Sequence, residues 1–186
     1  TDSAQLHIVK NNLANAYRES GKPKLAIRLY QEVLSKKLDD VTRARTLSNF
    51  AQAKWIDQSA YNPVPLFLAA RDLRLKSGDL WGLNASYSHL AHYYRTSKPD
   101  SALHYSRLMY KLALSLHNPA NELNAVGKLA ELDEKNRLKY FRRYRALDDS
   151  LAKARNTAKN QFALIRYETE KHKSEKLRLE KENTER

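Results

Sequence analysis

Along most of this chain, apolar residues return at steps of three and four, and nowhere does a strand-like alternation compete with that helical period. In NNLANAYRESGKPKLAIRLYQEVLSKK (residues 11–37), Leu13, Ala14 and Tyr17 fall on one face of a first helix. Ala26, Tyr30 and Val33 form the facing stripe of a second, and Gly21, Lys22 and Pro23 make the turn between them. Proline suits the first turn of a helix, where its missing N–H has no intrahelical partner to lose. The pattern returns in YSHLAHYYRTSKPDSALHYSRLMYKLAL (residues 87–114). There Leu90, Ala91 and Tyr94 take the first-helix places, Lys98-Pro99 repeats Lys22-Pro23, and Ala102 follows its proline by three as Ala26 does.

Two degenerate copies complete the series. Phe50 and Ala51 open one, with Lys54 where an aromatic would stand, a long turn QSAYNPVP, and a second helix LFLAARDLRLK. Leu129 and Ala130 open the other, with Asp133 in the aromatic place and a second helix running through Tyr140 and Tyr144. From Leu13 to Phe50, Leu90 and Leu129 the steps are 37, 40 and 39 residues. Internal periodicity of this kind means repeated helical pairs that bury their apolar faces on their neighbours.

The order large, small, aromatic on the first helix, glycine in the turn, then small, aromatic, apolar on the second resembles the tetratricopeptide repeat over roughly residues 4–155. The family period is about 34, so these copies carry longer helices or turns. The resemblance implies an all-α, right-handed superhelix of about four helical hairpins (4–38, 41–77, 80–117 and 119–155), followed by a long C-terminal helix over 156–186. The first helix is expected to start near Asp2 or Ser3, either of which can cap it.

Leu147, Leu151, Ala154, Ala158, Phe162 and Ile165 are spaced 4, 3, 4, 4 and 3. That stripe is adequate to cover the last repeat or to pair with a twin helix in a homodimer. Beyond Tyr167 only Leu177 and Leu179 are large and apolar. Charge pairs such as Glu170 with Lys173, Glu175 with Arg178 and Glu182 with Arg186 support a helix there by roughly 0.2–0.5 kcal/mol each. Such a segment buries nothing, and its expected role is a stalk. A repeat array followed by Asp149-Ser150-Leu151, then Lys159 to Glu168, then a charged helix is similar to the sensory half of membrane-anchored tetratricopeptide regulators of Bacteroidetes. That likeness implies a periplasmic receptor domain of an inner-membrane protein. Its transmembrane helix and its helix-turn-helix or kinase module would lie past Arg186.

Composition narrows the function classes. There is no cysteine, which excludes disulfides, thiolate catalysis and zinc sites built on Cys. No run of 18 apolar residues is present. The chain opens on Thr, and we read it as an excised or processed piece. The formal charge is +13, and residues 135–186 hold 16 Lys/Arg against 8 Asp/Glu. A basic chain can meet nucleic acid, anionic lipid or acidic protein, or simply stay soluble.

The first helices of the hairpins offer the candidate site, a peptide-binding groove on the concave face. It comprises Asn11, Asn15 and Arg18; Arg45, Asn49, Gln52 and Trp55; Ser88, His89, His92 and Arg95; and Asn124, Lys128 and Glu131. Amide side chains both donate and accept, which suits an extended peptide backbone, and Arg pairs with carboxylates. The family resemblance places Asn15 and Asn49 where carboxylate-clamp domains carry asparagine. Ala85 and His89 stand where that clamp has its cations, so a general peptide groove is expected instead. The plain alternative is a solvated face with no partner.

His89, His92 and His104 could be read as zinc ligands, but no carboxylate sits at ligand spacing, so no metal and no cofactor are expected. Tyr17, Tyr30, Tyr94 and Tyr144 read as packing residues, and KYFRRYRALDD (139–149) as a packing helix with a solvated basic face rather than a nucleic-acid contact. No glycine-rich phosphate loop and no nucleophile with a nearby base occurs, so an enzyme is not expected. The expected function is a peptide- or protein-binding sensor that signals through Leu151, Ala154, Ala158, Phe162 and Ile165. The alternative is a soluble scaffold whose basic C-terminal helix contacts protein or nucleic acid.

Overall fold

The computed structural model describes the backbone of residues 2–184 and the side chains of residues 5–181. Among the described residues the chain is all-helical, with no strand. The helices are α1 (Asp2–Glu19), α2 (Pro23–Leu34), α3 (Asp40–Asp57), α4 (Val64–Ser77), α5 (Leu80–Tyr94), α6 (Pro99–Ser115), α7 (Pro119–Leu132) and α8 (Arg137–Thr184), with a 3-10 turn at Glu134–Asn136 before the last. The side chains expected to cap the first helix lie outside the described residues, as does the Glu182–Arg186 pair.

The boundaries follow from local chemistry. Prolines stand in the first turns of α2, α4, α6 and α7. Gly21, at φ +74, supplies the left-handed step out of α1. The Asp39 carboxylate accepts from the Thr42 N–H at 2.8 Å, and Asn118 accepts from Ala120 at 3.1 Å and Asn121 at 3.0 Å. These side-chain caps satisfy amides that the helix itself cannot.

Each helix from α1 to α6 packs on the next, and α1 touches α3 as α3 touches α5. The core is a string of linked clusters. Ala14, Ala26, Tyr30 and Ala53 form the first; Ala51, Phe67 and Leu90 the second; Ala91, Met109 and Ala125 the third. Each draws residues from two neighbouring hairpins, which is how a repeat buries a face it could not bury alone. Tyr30 is fully buried, and its hydroxyl donates to Asn15 Oδ1 at 2.6 Å. Tyr94 stacks on Tyr105 at 6.1 Å with planes 8° apart.

The two places where the sequence lacks the expected aromatic have distinct solutions. The Lys54 ammonium lies over the rings of Phe50 at 5.4 Å and Tyr61 at 4.2 Å, so a cation takes the place of a ring. Asp133, only 5% exposed, ends α7. Its carboxylate accepts from Arg107 Nη2 at 2.9 Å and from the Asn136 side chain at 3.1 Å.

Two compact units emerge, Thr1–Phe141 and Arg142–Arg186. Among the described residues the second consists of helix only. In it Leu147 is buried and Leu151 half-buried, whereas every described residue from Lys153 to Lys181 is exposed, Ala154, Ala158, Phe162 and Ile165 included. The stripe therefore continues past the point where anything covers it. Pairs His172–Glu175 at 3.7 Å and Lys176–Glu180 at 3.8 Å lie along the exposed helix. No helix of the described residues is long and apolar enough to cross a membrane.

The start of α5 generates a prediction. Asp79 caps it, accepting from the Gly82 N–H at 2.8 Å, and faces the buried Arg74, whose Nη1 donates to Ser86 Oγ at 2.6 Å. A Cβ on Gly82 would run into the Asp79 carboxylate and the Arg74 guanidinium. In an open helix Gly→Ala stabilises by about 1 kcal/mol. Here Gly82→Ala is expected to destabilise by about 1–2 kcal/mol, the worth of a lost cap, as read from the midpoint of urea denaturation.

Candidate functional site

Of the residues expected on the first helices, Arg18, Gln52, Trp55, His92, Arg95 and Glu131 meet in pairs from helix to helix across α1, α3, α5 and α7. Arg18 Nη1 on α1 donates to Gln52 Oε1 on α3, and Arg18 Nη2 also reaches Glu19 at 3.3 Å. Trp55 on α3 meets His92 edge-on at 5.5 Å and Tyr93 at 5.2 Å, both on α5. Arg95, the C-cap of α5, pairs with Glu131 on α7 at 3.6 Å.

Individual positions differ. Asn11 is 2% exposed, and its Oδ1 has no hydrogen-bond partner among the described residues. Asn15 is half-buried and already accepts from Tyr30. Asn49, Gln52, Trp55, Ser88 and Lys128 are half-buried. Arg45, His92, Arg95 and Asn124 are exposed. His89 points inward, stacks on Phe67 at 5.2 Å, and leaves its Nδ1 buried without a partner. The Arg18 Nε–H is in the same condition.

The face is short of negative charge, and its titrating groups register that. Burial first, then the nearby cations Arg74, Arg18, His92 and Lys128, push His89 down to about 4. His92 is lowered by burial and then by Lys128 and Arg95. Burial lowers the Lys128 ammonium, Glu131 partly offsets this, and Arg95 adds to it. All three shifts favour a neutral side chain where like charges crowd.

Arg74 was not among the expected site residues. It is 4% exposed and stands in the buried stripe Phe67, Ala70, Arg74 of α4. An arginine at the next step of an apolar stripe is a signal that the sequence contains, and the usual reading of a lone charge as solvated passes over it.

The histidines do not converge on a metal. His104 sits edge-on to Tyr105 at 5.3 Å, while His89 faces Phe67 and His92 faces Trp55. Among the described residues no group of three or more His, Cys, Asp or Glu side chains could hold an ion. An open depression of about 310 Å³ lies elsewhere, against α2 and the end of α3, lined by Lys24, Ile27, Arg28, Gln31, Lys54 and Asp57. It gathers no convergent chemistry.

These elements define an all-helical protein of stacked helical hairpins that ends in a long exposed helix. No family model matches the chain, and no curated protein matches it.

His89 fixes the sign of the stability profile. Its pKa in the fold, about 4, lies below its ordinary value of 6.5, so the unfolded chain binds the proton more readily. Stability is full above pH 6.5 and falls as pH drops through 6.5 toward 4. Between pH 7 and 5 we expect a loss of about 2 kcal/mol at most, measured by urea denaturation at each pH. His89→Leu, which cannot take up a proton, should flatten most of that slope.

Proposed function

We propose that this chain is a peptide-binding domain of the tetratricopeptide type, with the row across α1, α3, α5 and α7 as its binding face. The observation that carries this reading is the run of half-buried polar side chains across that row, Asn15, Asn49, Gln52, Ser88 and Lys128, with Arg95 exposed beside them. An extended peptide carries an N–H and a C=O on nearly every residue and can satisfy both donors and acceptors. Trp55, half-buried between α3 and α5, offers an aromatic wall beside them.

The long helix supports the second half of the proposal, a sensor that relays binding to an output module. Phe162 is 73% exposed and Ile165 58% exposed, on the stripe that Leu151, Ala154 and Ala158 begin. Large apolar side chains at that spacing suit pairing with a second copy. On this reading the domain is the periplasmic part of an inner-membrane regulator, and the helix carries the change in pairing to the output side. The basic excess of residues 135–186 supports a different reading, an adaptor whose helix contacts nucleic acid.

Peptides selected from a random dodecapeptide library should bind the chain, and Trp55→Ala should weaken them at least tenfold, about 1.4 kcal/mol, with helical circular dichroism unchanged. Failure to select any peptide counts against the binding face. For the relay, sedimentation equilibrium should show a dimer that Phe162→Glu with Ile165→Glu converts to monomer. A chain already monomeric at about 100 μM, well above the range of a functional pairing, removes the pairing half. A duplex DNA complex that survives 150 mM salt would favour the adaptor, because contacts to the phosphate backbone alone weaken steeply with salt.

A further inference from the structure

The binding face is not chemically uniform along its length. At its α1–α3 end the half-buried side chains are amides, Asn15, Asn49 and Gln52, and Arg18 is already engaged with Gln52 and Glu19. At its α5–α7 end stand His92, Arg95 and Lys128, with Trp55 as a wall against His92. Lys128 is half-buried. The acidic side chain that acts on it, Glu131, is shared with Arg95 at 3.6 Å. Arg95 and Lys128 thus share one carboxylate, and these two cations with the imidazole of His92 beside them leave room for another anion.

We propose that Lys128, His92 and Arg95 form a subsite for one carboxylate of the bound peptide, an Asp or Glu side chain that lies beside Trp55. This rests on the peptide-binding reading above and names the class of peptide. A carboxylate suits the subsite better than a polyanion backbone, because Glu131, 62% exposed, opposes a second negative charge. Lys128 supplies a point charge from the half-buried side and Arg95, 52% exposed, a planar fork from the open side. In binding, Arg95 exchanges Glu131 for the incoming carboxylate.

The subsite has a proton signature. The His92 pKa is lowered by burial, then by Lys128 and Arg95. His89 lies within electrostatic reach of it on the same helix, Glu131 pairs with its neighbour Arg95, and Trp55 faces it from α3 without a charge. A bound carboxylate offsets the cations and raises the His92 pKa. Binding then takes up a proton, and affinity rises as pH falls from 7 to 5.5.

The test uses the full chain with two probes, fluorescein-labelled hexaglutamate and hexaglutamine. Hexaglutamate should bind the tighter, by tenfold or more. Lys128→Met should weaken it at least tenfold, and Arg95→Gln at least threefold. Lys111→Met, which removes an exposed charge from α6, should change it less than twofold. The Cε1–H resonance of His92 should titrate about one pH unit higher with hexaglutamate bound, the size of shift a neighbouring charge produces. Equal losses from Lys128→Met and Lys111→Met would show only nonspecific attraction to a basic chain and overturn the subsite. An unmoved His92 titration would overturn it as well. A dT12 oligonucleotide that binds with the same Lys128 dependence replaces the carboxylate with a polyanion, and the proposal fails. If library peptides bind in a Trp55-dependent way but show no acidic preference, the subsite fails while the peptide-binding face stands.

Discussion

Close approach of helices through alanine is the constraint on which everything else here depends. Ala14, Ala26, Ala44, Ala51, Ala53, Ala70, Ala91, Ala102, Ala113 and Ala125 are all buried, and they recur wherever one helix lies on the next. A methyl group lets two backbones come near, and the space left between pairs is filled by a few large side chains, Tyr30, Phe67, Leu90 and Met109. Small and large residues must alternate across each interface for the density to be that of a protein interior. The arrangement sets the spacing of α1, α3, α5 and α7, and with it the reach between Arg18 and Gln52 or between Trp55 and His92.

Much of this was legible in the sequence, because the period of the apolar positions is a direct record of which face is covered. The helices pack in hairpins as the repeated pattern implied, and α2 and α6 begin at Pro23 and Pro99, the prolines that follow the turn in each. Position on a helix was legible for the site as well, since residues three and four apart share a face. What could not be read is which of them already have partners. Asn15 turns to Tyr30, Arg18 turns to Gln52, and Asn11 is enclosed, although all three occupy equivalent steps of one helix face. Those outcomes depend on side chains that arrive from other helices.

Periodicity is equally silent on how far a stripe stays covered. Leu147, Leu151, Ala154, Ala158, Phe162 and Ile165 form one pattern, yet burial ends after the first few. A stripe records what a helix is able to bury. Whether it does so depends on what surface is present to receive it. The absent aromatics at Lys54 and Asp133 teach the converse, for a charged residue at a packing step can be kept there by rings or by an arginine.

The cap at Asp79 has a consequence for direction. It fixes the helix at Gly82, and His89 follows seven residues later, which brings the chain to within roughly 20° of two full turns. The imidazole thus inherits its azimuth from the cap, as the teeth of a key inherit theirs from the bow. Arg74 lies at both ends of this relation, beside the Asp79 carboxylate and within electrostatic reach of His89. The turn between α4 and α5 therefore acts as an indexing device: it sets the angle at which α5 presents His89, and three residues further on His92, to the rest of the face.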